Sequence, residues 1–565
     1  MRGRAPTLEP RAVVVPSPGP AARLLLVGGR PPRGGSRPQL GGGSEPARVG
    51  RRARIGRWLG PAAAIAVHLV APTGPGGLTD GGRATAAVAV LMATWWVCES
   101  LPLPVTSLVP IVLLPLSGAL DLTATTSAYA NPLVFLFLGG FVLALAMQRW
   151  GLHRRVALLT LRAVGTRPRR LLGGFMLATA GLSMWVSNTA TTVMMLPIGI
   201  SVLGLVAGRL HEHAAADDVM ASGAGVPAQG DRRPAVHHPP GQPVSETSPT
   251  PRFAVGLMLG IAYAASIGSL ATLIGTPPNT FLAGFLAQNH GIDLGFGRWM
   301  LLALPLAMVF LVVAWLALAF WLYPPEIDDV PGGAALLREE LARLGPLSRG
   351  ERNVLVVFVL MAGSWIARAP LQDLLAGTPL AAIDDPIIAI AGAVLLFALP
   401  VDARRGVFTM DWASTRQLPW GVLLLFGGGL ALAAAVADNG VDRYVGSLLA
   451  GLGDLPLLAT IAIVAATVLL LTELTSNTAT TAALVPVVAG TAVVLGVDPL
   501  LLTIPAALAA SCAFMLPVAT PPNAIVFGSG YVTIPQMVRA GIVLNMVGTT
   551  LIVAAMWGLA PLVYG

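Results

Sequence analysis

The chain has 565 residues, of which 55% are hydrophobic and only 11% are charged, and its mean hydropathy is +0.75. A soluble protein of this length would carry far more charge, so the composition predicts a polytopic membrane protein. The formal net charge of +8 does not indicate nucleic-acid binding, because twelve arginines are concentrated in residues 1–57.

Residues 1–57 are rich in Arg, Gly and Pro and have no sustained apolar period, which predicts a disordered N-terminal arm. The positive-inside rule places this arm on the cytoplasmic side of the first span. Its apolar run at 21–29 is too short for a secretory signal. Cys98 and Cys512 both lie in apolar segments, so neither a disulfide framework nor a cysteine metal cluster is expected.

The apolar runs that follow predict an all-α polytopic membrane protein with about 11 transmembrane helices and two re-entrant helical hairpins. In the first half we expect spans near 58–72, 84–101, 103–120, 131–149, 252–288 and 298–323, with a hairpin at 171–206. In the second half we expect spans near 353–368, 385–401, 418–437, 499–528 and 537–562, with a hairpin at 455–494.

Two short strings each occur twice. Ser-Asn-Thr-Ala-Thr-Thr stands at 187–192 and again 289 residues later at 476–481. The same offset aligns residues 136–152 with 425–441, where eight of seventeen positions are identical. Thr-Pro-Pro-Asn stands at 276–279 and at 520–523, downstream of each first string. The chain is therefore interpreted as a duplicated unit.

The duplication predicts a domain organisation. Each unit has five crossings, an odd number, so the two units face opposite ways, as in the inverted repeats of secondary transporters. The first span (58–83) lies outside the repeat, repeat 1 covers 84–323, a cytoplasmic linker covers 324–352 and repeat 2 covers 353–565. Repeat 1 contains a polar cytoplasmic insert at 208–252, whose His and acidic residues are interpreted as solvated rather than metal-binding.

The arginines support one orientation in the membrane. They crowd the stretch 149–170, which we interpret as a loop, and recur in predicted loops at 338–352 and 404–405. The span count puts these loops on the same side, so we expect a cytoplasmic N-terminus and an external C-terminus.

Each unit carries two polar strings that interrupt a helix at membrane depth. Ser-Asn-Thr competes with the helix by bonding its own backbone, and Thr-Pro-Pro-Asn removes two amide donors. Irregular backbone is tolerated there only around protein or a watery cavity. The freed helix N-termini suit a carboxylate, whereas freed carbonyls and the Asn oxygen suit a hard cation such as Na⁺. Taken singly, either string could be a kink or a packing feature, but two matched copies favour a binding site.

Few charged residues fall within the apolar runs. Glu473 lies three residues before Ser476, where the first unit has Met184. It could be a proton site, or an acid that accepts hydrogen bonds from loop amides at the hairpin tip. Glu99 is expected near the interface, and His68 is interpreted as structural.

These strings, with IGTPPN, ATPPN, WGLHRR and AFMLPVATPPNAIVFGSG, resemble the divalent anion:sodium symporter family over residues 58–565. The resemblance implies a homodimer of elevator-type transporters and symport of a di- or tricarboxylate with Na⁺. It implies one sodium site at Ser183, Ser187, Asn188 and Gly275 and a second at Thr472, Thr475, Asn477 and Ala519. The substrate carboxylates would meet Asn188, Thr189, Thr276, Asn477, Thr478, Thr520 and Pro521.

Our hypothesis is a sodium-coupled importer of C4-dicarboxylates such as succinate, malate or fumarate in the cell membrane. A symporter of sulfate or another divalent oxyanion, and an exchanger of dicarboxylates, remain as alternatives. An intramembrane enzyme is disfavoured, because the sequence holds no HExxH or GxSxG string. A channel is disfavoured as well, because nothing resembles a filter ring.

Overall fold

The computed structural model describes residues 51–74, 77–221, 251–330, 332–448 and 455–564. Most of the predicted N-terminal arm (1–57) and of the predicted insert (208–252) lies outside these ranges. The first helix begins at Arg51, so residues 51–57 of the predicted arm are helical.

Residues 51–322 form twelve α-helices and two short helical segments of other types within the described ranges. The helices are α1 (Arg51–Val70), α2 (Asp80–Cys98), α3 (Leu103–Thr106), α4 (Val109–Leu116), α5 (Leu122–Ser127), α6 (Pro132–Arg149), α7 (Leu152–Val164), α8 (Pro168–Ser183), α9 (Asn188–Ala221), α10 (Arg252–Ser269), α11 (Pro277–His290) and α12 (Phe296–Leu316). A 3₁₀ turn spans Ala128–Ala130, and a π-helical segment, Ala317–Leu322, extends α12.

The described residues after Leu322 are also mostly helical, and they include one small hairpin of strands. The helices are α13 (Gly333–Leu344), α14 (Arg349–Ile366), α15 (Arg368–Leu374), α16 (Asp385–Ala398), α17 (Trp420–Asp438), α18 (Val441–Leu448), α19 (Leu457–Thr472), α20 (Asn477–Val494), α21 (Leu500–Ala510), α22 (Pro521–Gly528), α23 (Ile534–Gly558) and α24 (Ala560–Tyr564). Strands β1 (Pro400–Asp402) and β2 (Val407–Phe408) pair antiparallel, and 3₁₀ turns lie at Pro379–Ala382, Ala403–Arg405 and Trp412–Gln417.

Among the described residues, seven helical segments are long and apolar enough to cross a membrane. Four shorter apolar helical segments, Leu103–Leu116, Asp385–Ala398, Leu457–Thr472 and Leu500–Ala510, lie among them. The predicted all-α polytopic membrane fold is therefore confirmed. The short segments are those that prolines or the repeated strings interrupt, which is why they fall below the length of a full crossing.

The predicted span at 103–120 is not continuous. It is divided into α3 and α4, and Pro104 and Pro110 lie in the first turns of these two helices. Proline lacks an amide hydrogen and is tolerated at the start of a helix, so each proline marks a new start. The predicted boundary between residues 83 and 84 likewise falls inside α2.

The arginine-rich stretch 149–170 is not a loop, because most of it forms the amphipathic helix α7. The helix buries Leu152, Ala157, Leu158 and Leu161, and it also carries three arginines. With 13 residues and three arginines, α7 is too short and too charged to cross a membrane. The predicted linker at 324–352 likewise contains a helix, α13, which packs on α7.

Ion pairs fasten α7 to its neighbours. Arg155 binds Glu351 of α14 at 2.7 Å, with side chains only 14% and 6% exposed, and Arg154 binds Glu340 of α13 at 2.5 Å. His153 Nδ1 lies 2.9 Å from the Met147 carbonyl oxygen. Burial lowers the pKa of His153, and the charge of Arg154 adds to this effect, against the raising effect of the carbonyl. The arginine-rich stretch 149–170 thus belongs to an ordered group of helices, α7, α13 and α14.

Two helices form the centre of the packing. Every residue of α10 from Phe253 to Ser269 is buried. In α17, a Cβ atom at Gly428 would lie 2.1 Å from the Ser107 carbonyl oxygen, so glycine is required for this close approach. Both helices contact elements from either half of the sequence: α10 packs on α8 and α22, and α17 packs on α11 and α20.

Candidate functional site

The first hairpin is broken at the Ser-Asn-Thr string. Helix α8 ends at Ser183 and α9 begins at Asn188. Across the break, the Ser183 hydroxyl donates to Asn188 Oδ1 at 2.7 Å. A hydroxyl that donates its one hydrogen keeps its lone pairs, so Ser183 and Asn188 place two acceptor oxygens side by side.

Asn188 also ties the hairpin to α10. Its Nδ2 atom donates to Ser269 Oγ at 3.2 Å, and that hydroxyl donates to the Ser266 carbonyl at 2.8 Å. Beyond the end of α10, the Thr272 hydroxyl donates to the Met184 carbonyl at 2.6 Å. The hairpin tip and the break between α10 and α11 therefore hold each other in place.

The Thr-Pro-Pro-Asn string begins α11 and closes the break from the other side. Asn279 Nδ2 donates to the carbonyls of Ser269 and Leu270 at 3.2 Å and to that of Thr272 at 2.8 Å. These carbonyls have no partner within a continuous helix, because the helix stops here. The asparagine of this string is therefore the residue that makes the break stable.

Gly275 and Thr276 lie at the turn into α11. A Cβ atom at Gly275 would lie 2.3 Å from the Ser269 carbonyl oxygen, so glycine is needed for the chain to fold back this closely. Thr276 has an extended backbone, with φ −144° and ψ 144°, directly before the first helical residue. The helix thus begins beside the first hairpin tip.

The second hairpin repeats the contacts of the first. Helix α19 ends at Thr472, α20 begins at Asn477, and the Thr472 hydroxyl donates to Asn477 Oδ1 at 2.8 Å. This pair is equivalent, at the offset of 289 residues, to the hydroxyl–asparagine pair of the first hairpin. The Thr472 hydroxyl also lies 2.7 Å from the Ala510 carbonyl oxygen, and the Thr475 and Thr480 hydroxyls lie 2.6 Å apart.

Asn523 is the counterpart of Asn279. Its Nδ2 atom donates to the carbonyls of Ala513 and Leu516, both at 3.1 Å, which correspond at an offset of 244 residues to two carbonyls that Asn279 binds. Asn279 and Asn523 are 0% and 1% exposed. Within the described ranges, neither Oδ1 atom has a hydrogen-bond partner. Each break therefore encloses an amide oxygen with open lone pairs.

Glu473 has no counterpart in the first half. Its carboxylate is buried and accepts from the backbone amides of Phe514 at 2.7 Å, Met515 at 3.0 and 3.1 Å and Leu516 at 3.3 Å. Asn545 Nδ2 of α23 donates to the same carboxylate at 2.8 Å. All these partners are donors, which suits an ionised carboxylate. Of the two roles that the sequence left open, this geometry matches the acid held by loop amides.

The broken helices of the two halves pack on one another. Helix α9, which begins at Asn188, contacts α22, which begins at Pro521. Helix α11, which begins at Pro277, contacts α20, which begins at Asn477. The helices that begin at the breaks therefore pack in two pairs, each of which joins the two halves of the sequence. Of the four, α9 and α20 begin without proline, and the N-terminus of such a helix favours negative charge.

The predicted substrate residues differ in exposure. Thr276 and Thr520 are 3% and 5% exposed. Asn188, Asn477 and Thr478 are half-buried, whereas Thr189 and Pro521 are exposed. The hairpin tips are thus accessible, while the threonines before α11 and α22 are covered.

The predicted sodium ligands fit a hard monovalent cation by their chemistry. Hydroxyl, amide and carbonyl oxygens are the donors that such ions prefer. Ser183 and Asn188 lie together in one break and Thr472 and Asn477 in the other. Gly275 is connected to the first pair through Ser269. Ser187 is exposed, and its Oγ accepts from the Ala190 amide at 3.3 Å. Ala519 is buried in the break before α22.

Sequence reasoning missed three residues of this network. Ser269 connects Asn188 to α10, Asn279 binds three carbonyls, and Asn545 binds Glu473 from a helix 72 residues away. The repeated Thr-Pro-Pro-Asn string singled out the second of them as a position, although its role as a donor was not predicted. No sequence pattern indicated the other two.

A separate cavity of about 230 Å³ lies between α2, α17, α18 and α20. It is lined mainly by Ala and Val side chains and by Pro486, with Asp442 as its one charged residue. An apolar cavity of this kind does not suit a doubly charged anion. The hairpin breaks remain the candidate site.

The family model described as the sodium:sulfate symporter transmembrane region matches residues 54–563. The chain belongs to the sodium:sulfate symporter family. The resemblance to divalent anion:sodium symporters is thereby confirmed.

Two relatives in this symporter family are the sodium-dependent dicarboxylate transporters SdcS of Staphylococcus saprophyticus and Staphylococcus aureus strain USA300. The first is 38% identical over 512 residues, which cover 90% of this chain and 92% of that protein. The second is 38% identical over 480 residues, which cover 85% and 86%.

A solved structure shares the fold of this symporter family member. The crystal structure of the Alcanivorax borkumensis YdaH transporter superposes with a TM-score of 0.54 and covers 91% of this chain and 99% of that one. The sequences are 12% identical, so the likeness concerns the fold alone.

Proposed function

We propose that this protein is a sodium-coupled symporter that imports C4-dicarboxylates such as succinate, malate or fumarate. The observation that carries the proposal is the pair of equivalent hydroxyl–asparagine contacts, Ser183–Asn188 and Thr472–Asn477, each at the start of a half-helix. The 38% identity to proteins named sodium-dependent dicarboxylate transporters supports the choice of ion and substrate.

Two groups of residues would hold sodium. The first consists of Ser183, Ser187, Asn188 and Gly275, and the second of Thr472, Thr475, Asn477 and Ala519. Bound cations would offset the charge of the anion, so a site built of neutral oxygens could hold a dicarboxylate. Sodium supplies this charge and no covalent chemistry.

The substrate carboxylates would lie against the hairpin tips. Asn188, Thr189, Asn477 and Thr478 would donate from the tips, with Thr276, Thr520 and Pro521 beside them. The N-termini of α9 and α20 add amide donors, and a helix N-terminus favours an anion. Two tips from two halves would match the two ends of a C4-dicarboxylate.

The remaining features of the proposal concern assembly and orientation. We infer an elevator-type homodimer of inverted repeats, with the N-terminus in the cytoplasm and the C-terminus outside. The equivalence of contacts at offsets of 289 and 244 residues supports the duplication. Light scattering of the purified protein tests the dimer, and labelling of single cysteines near each terminus in intact cells tests the orientation.

Uptake of labelled succinate into proteoliposomes tests the activity. We expect uptake in sodium buffer and none in choline buffer; equal uptake in both would refute the coupling. Asn188→Ala and Asn477→Ala should each reduce uptake about tenfold or more, because each loses an oxygen of a cation site and the partner of a buried hydroxyl. Asn289→Ala is the matched control, since Asn289 lies on α11 away from both breaks and bonds only the Phe285 carbonyl.

Competition and counterflow separate the alternatives. A sulfate symporter would lose succinate uptake when sulfate is added in excess, whereas a dicarboxylate carrier would not. An exchanger would require dicarboxylate inside the vesicles and would be indifferent to sodium.

A further inference from the structure

A polar cavity of about 550 Å³ lies at the opposite end of α8 from the first hairpin break, where the α7–α8 turn meets the end of α12. Its lining includes Arg167, Arg169, Arg170, Trp315, Phe320 and Asp328. Pockets of this size commonly hold small molecules or headgroups. Three arginines facing one aspartate make the cavity positive.

The three arginines are exposed, and they have no carboxylate partner within the described ranges. Two of the three arginines of the preceding helix α7 differ in this respect, because Arg154 and Arg155 each bind a glutamate. Charge at the α7–α8 turn therefore remains available for an external anion. Guanidinium groups match phosphate oxygens with two parallel hydrogen bonds.

Arg169 is held in position by α12. Trp315 Nε1 donates to its carbonyl oxygen at 2.9 Å, and its guanidinium lies 4.7 Å from the centre of the Phe320 ring. Gly173 allows this approach, because a Cβ atom there would lie 3.0 Å from Trp315 Nε1. Contacts with Trp315 and Phe320 thus fix the position of Arg169 in the wall of the cavity.

The cavity lies at one end of a membrane span. Residues Phe296–Leu322 form a continuous apolar segment long enough to cross the bilayer, and Trp315, Phe320 and Trp321 cluster at its end. Tryptophan at such an end is typical of the membrane–water interface. From there a stripe of exposed apolar side chains, Val312 and Leu316, leads along α12 towards the bilayer interior.

We propose that this cavity binds the phosphodiester headgroup of an anionic phospholipid, whose acyl chains lie along the exposed stripe of α12. Basic pockets beside transmembrane helices bind such headgroups. Free phosphate has the same chemistry, but it would leave the apolar stripe without a role. The bound lipid would connect α8, the first arm of the hairpin, to α12.

Lipid binding by the intact purified protein tests this proposal. Phosphatidylglycerol would be titrated against the detergent-solubilised protein, and bound lipid counted by native mass spectrometry. Arg169→Gln with Arg170→Gln should weaken binding about thirtyfold, since each basic residue near an anionic headgroup contributes about fivefold. The matched control is Arg404→Gln with Arg405→Gln, which removes two adjacent exposed arginines elsewhere.

A second variant separates binding from folding. Arg167→Gln with Arg170→Gln leaves the contact between Arg169 and Phe320 intact, and it should weaken binding to a similar degree without changing the melting temperature. Equal weakening by the control pair would overturn the site in favour of general surface attraction. Equal binding of phosphatidylcholine, or displacement of the lipid by millimolar inorganic phosphate, would overturn the assignment to an anionic phospholipid.

Discussion

Replacing Glu473 with glutamine should loosen the second hairpin from the break between α21 and α22. The carboxylate accepts five hydrogen bonds, one from Asn545 and four from three consecutive backbone amides. Glutamine keeps one oxygen, while its NH₂ group would face the amides of Met515 and Leu516, which are donors as well.

The magnitude follows from the bonds lost. A hydrogen bond to a charged group contributes about 1.5–3 kcal/mol, and two of the bonds to one oxygen become contacts between donors. We therefore expect Glu473→Gln to lower the free energy of unfolding by about 3–6 kcal/mol. Glu473→Ala should lower it further, because it leaves all the amides unpaired. Because the displaced segment leads to Ala519 and Thr520, sodium dependence should change along with stability.

Two measurements test this reasoning. The apparent melting temperature of the purified protein should fall by several degrees, and half-maximal uptake in proteoliposomes should require more sodium. Glu99→Gln is the control, because Glu99 is exposed and makes no side-chain hydrogen bond among the described residues. A Glu473→Gln protein with the melting temperature and sodium dependence of the wild type would refute the role given to the carboxylate.

Three further predictions concern stability. Asn279→Ala should destabilise the fold by about 1–3 kcal/mol, measured by thermal unfolding, because it leaves the Ser269 carbonyl unpaired while the Leu270 and Thr272 carbonyls keep Trp299 Nε1 and the Gly275 amide. Arg155→Gln should lower the free energy of unfolding by about 3–5 kcal/mol, because it leaves the buried Glu351 carboxylate without its arginine partner. The melting temperature should fall as the pH decreases through about 6.5, since the folded state lowers the pKa of His153 and the unfolded chain takes up the proton first.

Each of these predictions has a control and a result that would contradict it. Asn289→Ala should leave the melting temperature unchanged; an equal fall would mean that Asn279 has no special role. Arg343→Gln breaks the ion pairs of a 64% exposed arginine with Glu339 and Glu340, and Glu340 keeps its pair with Arg154, so stability should change by only about 1 kcal/mol. Above about pH 7 the melting temperature should be flat, and His153→Gln should reduce its fall in acid. If the melting temperature of His153→Gln fell in acid as much as that of the wild type, other titrating groups would be responsible for the fall.

The helix breaks could be predicted from the sequence because their causes are local. Ser-Asn-Thr offers side-chain partners to its own backbone and Thr-Pro-Pro-Asn removes amide donors, so the starts of α9, α11, α20 and α22 follow from the residues themselves. The repeat of both strings also indicated which breaks are equivalent.

Other features depend on contacts that the sequence does not display. The density of arginines at 149–170 suggested a loop. The stretch instead contains a helix that buries Leu152, Ala157 and Leu158, and the apolar spacing of this helix is interrupted in the sequence by arginines. Glu473 was found as a buried acid, but its partner Asn545 lies on another helix, and only the folded chain brings them together.

The difference between the two halves at positions 184 and 473 has a consequence for motion. The first tip is fastened to its neighbouring break by neutral groups, through Thr272 and Ser269. The second is fastened by an anion seated on three amides. When the first tip separates from its break, water replaces uncharged hydrogen-bond partners. When the second tip separates, the ionised Glu473 carboxylate loses the amides that bind it. The first tip should therefore separate from its neighbouring break more easily than the second.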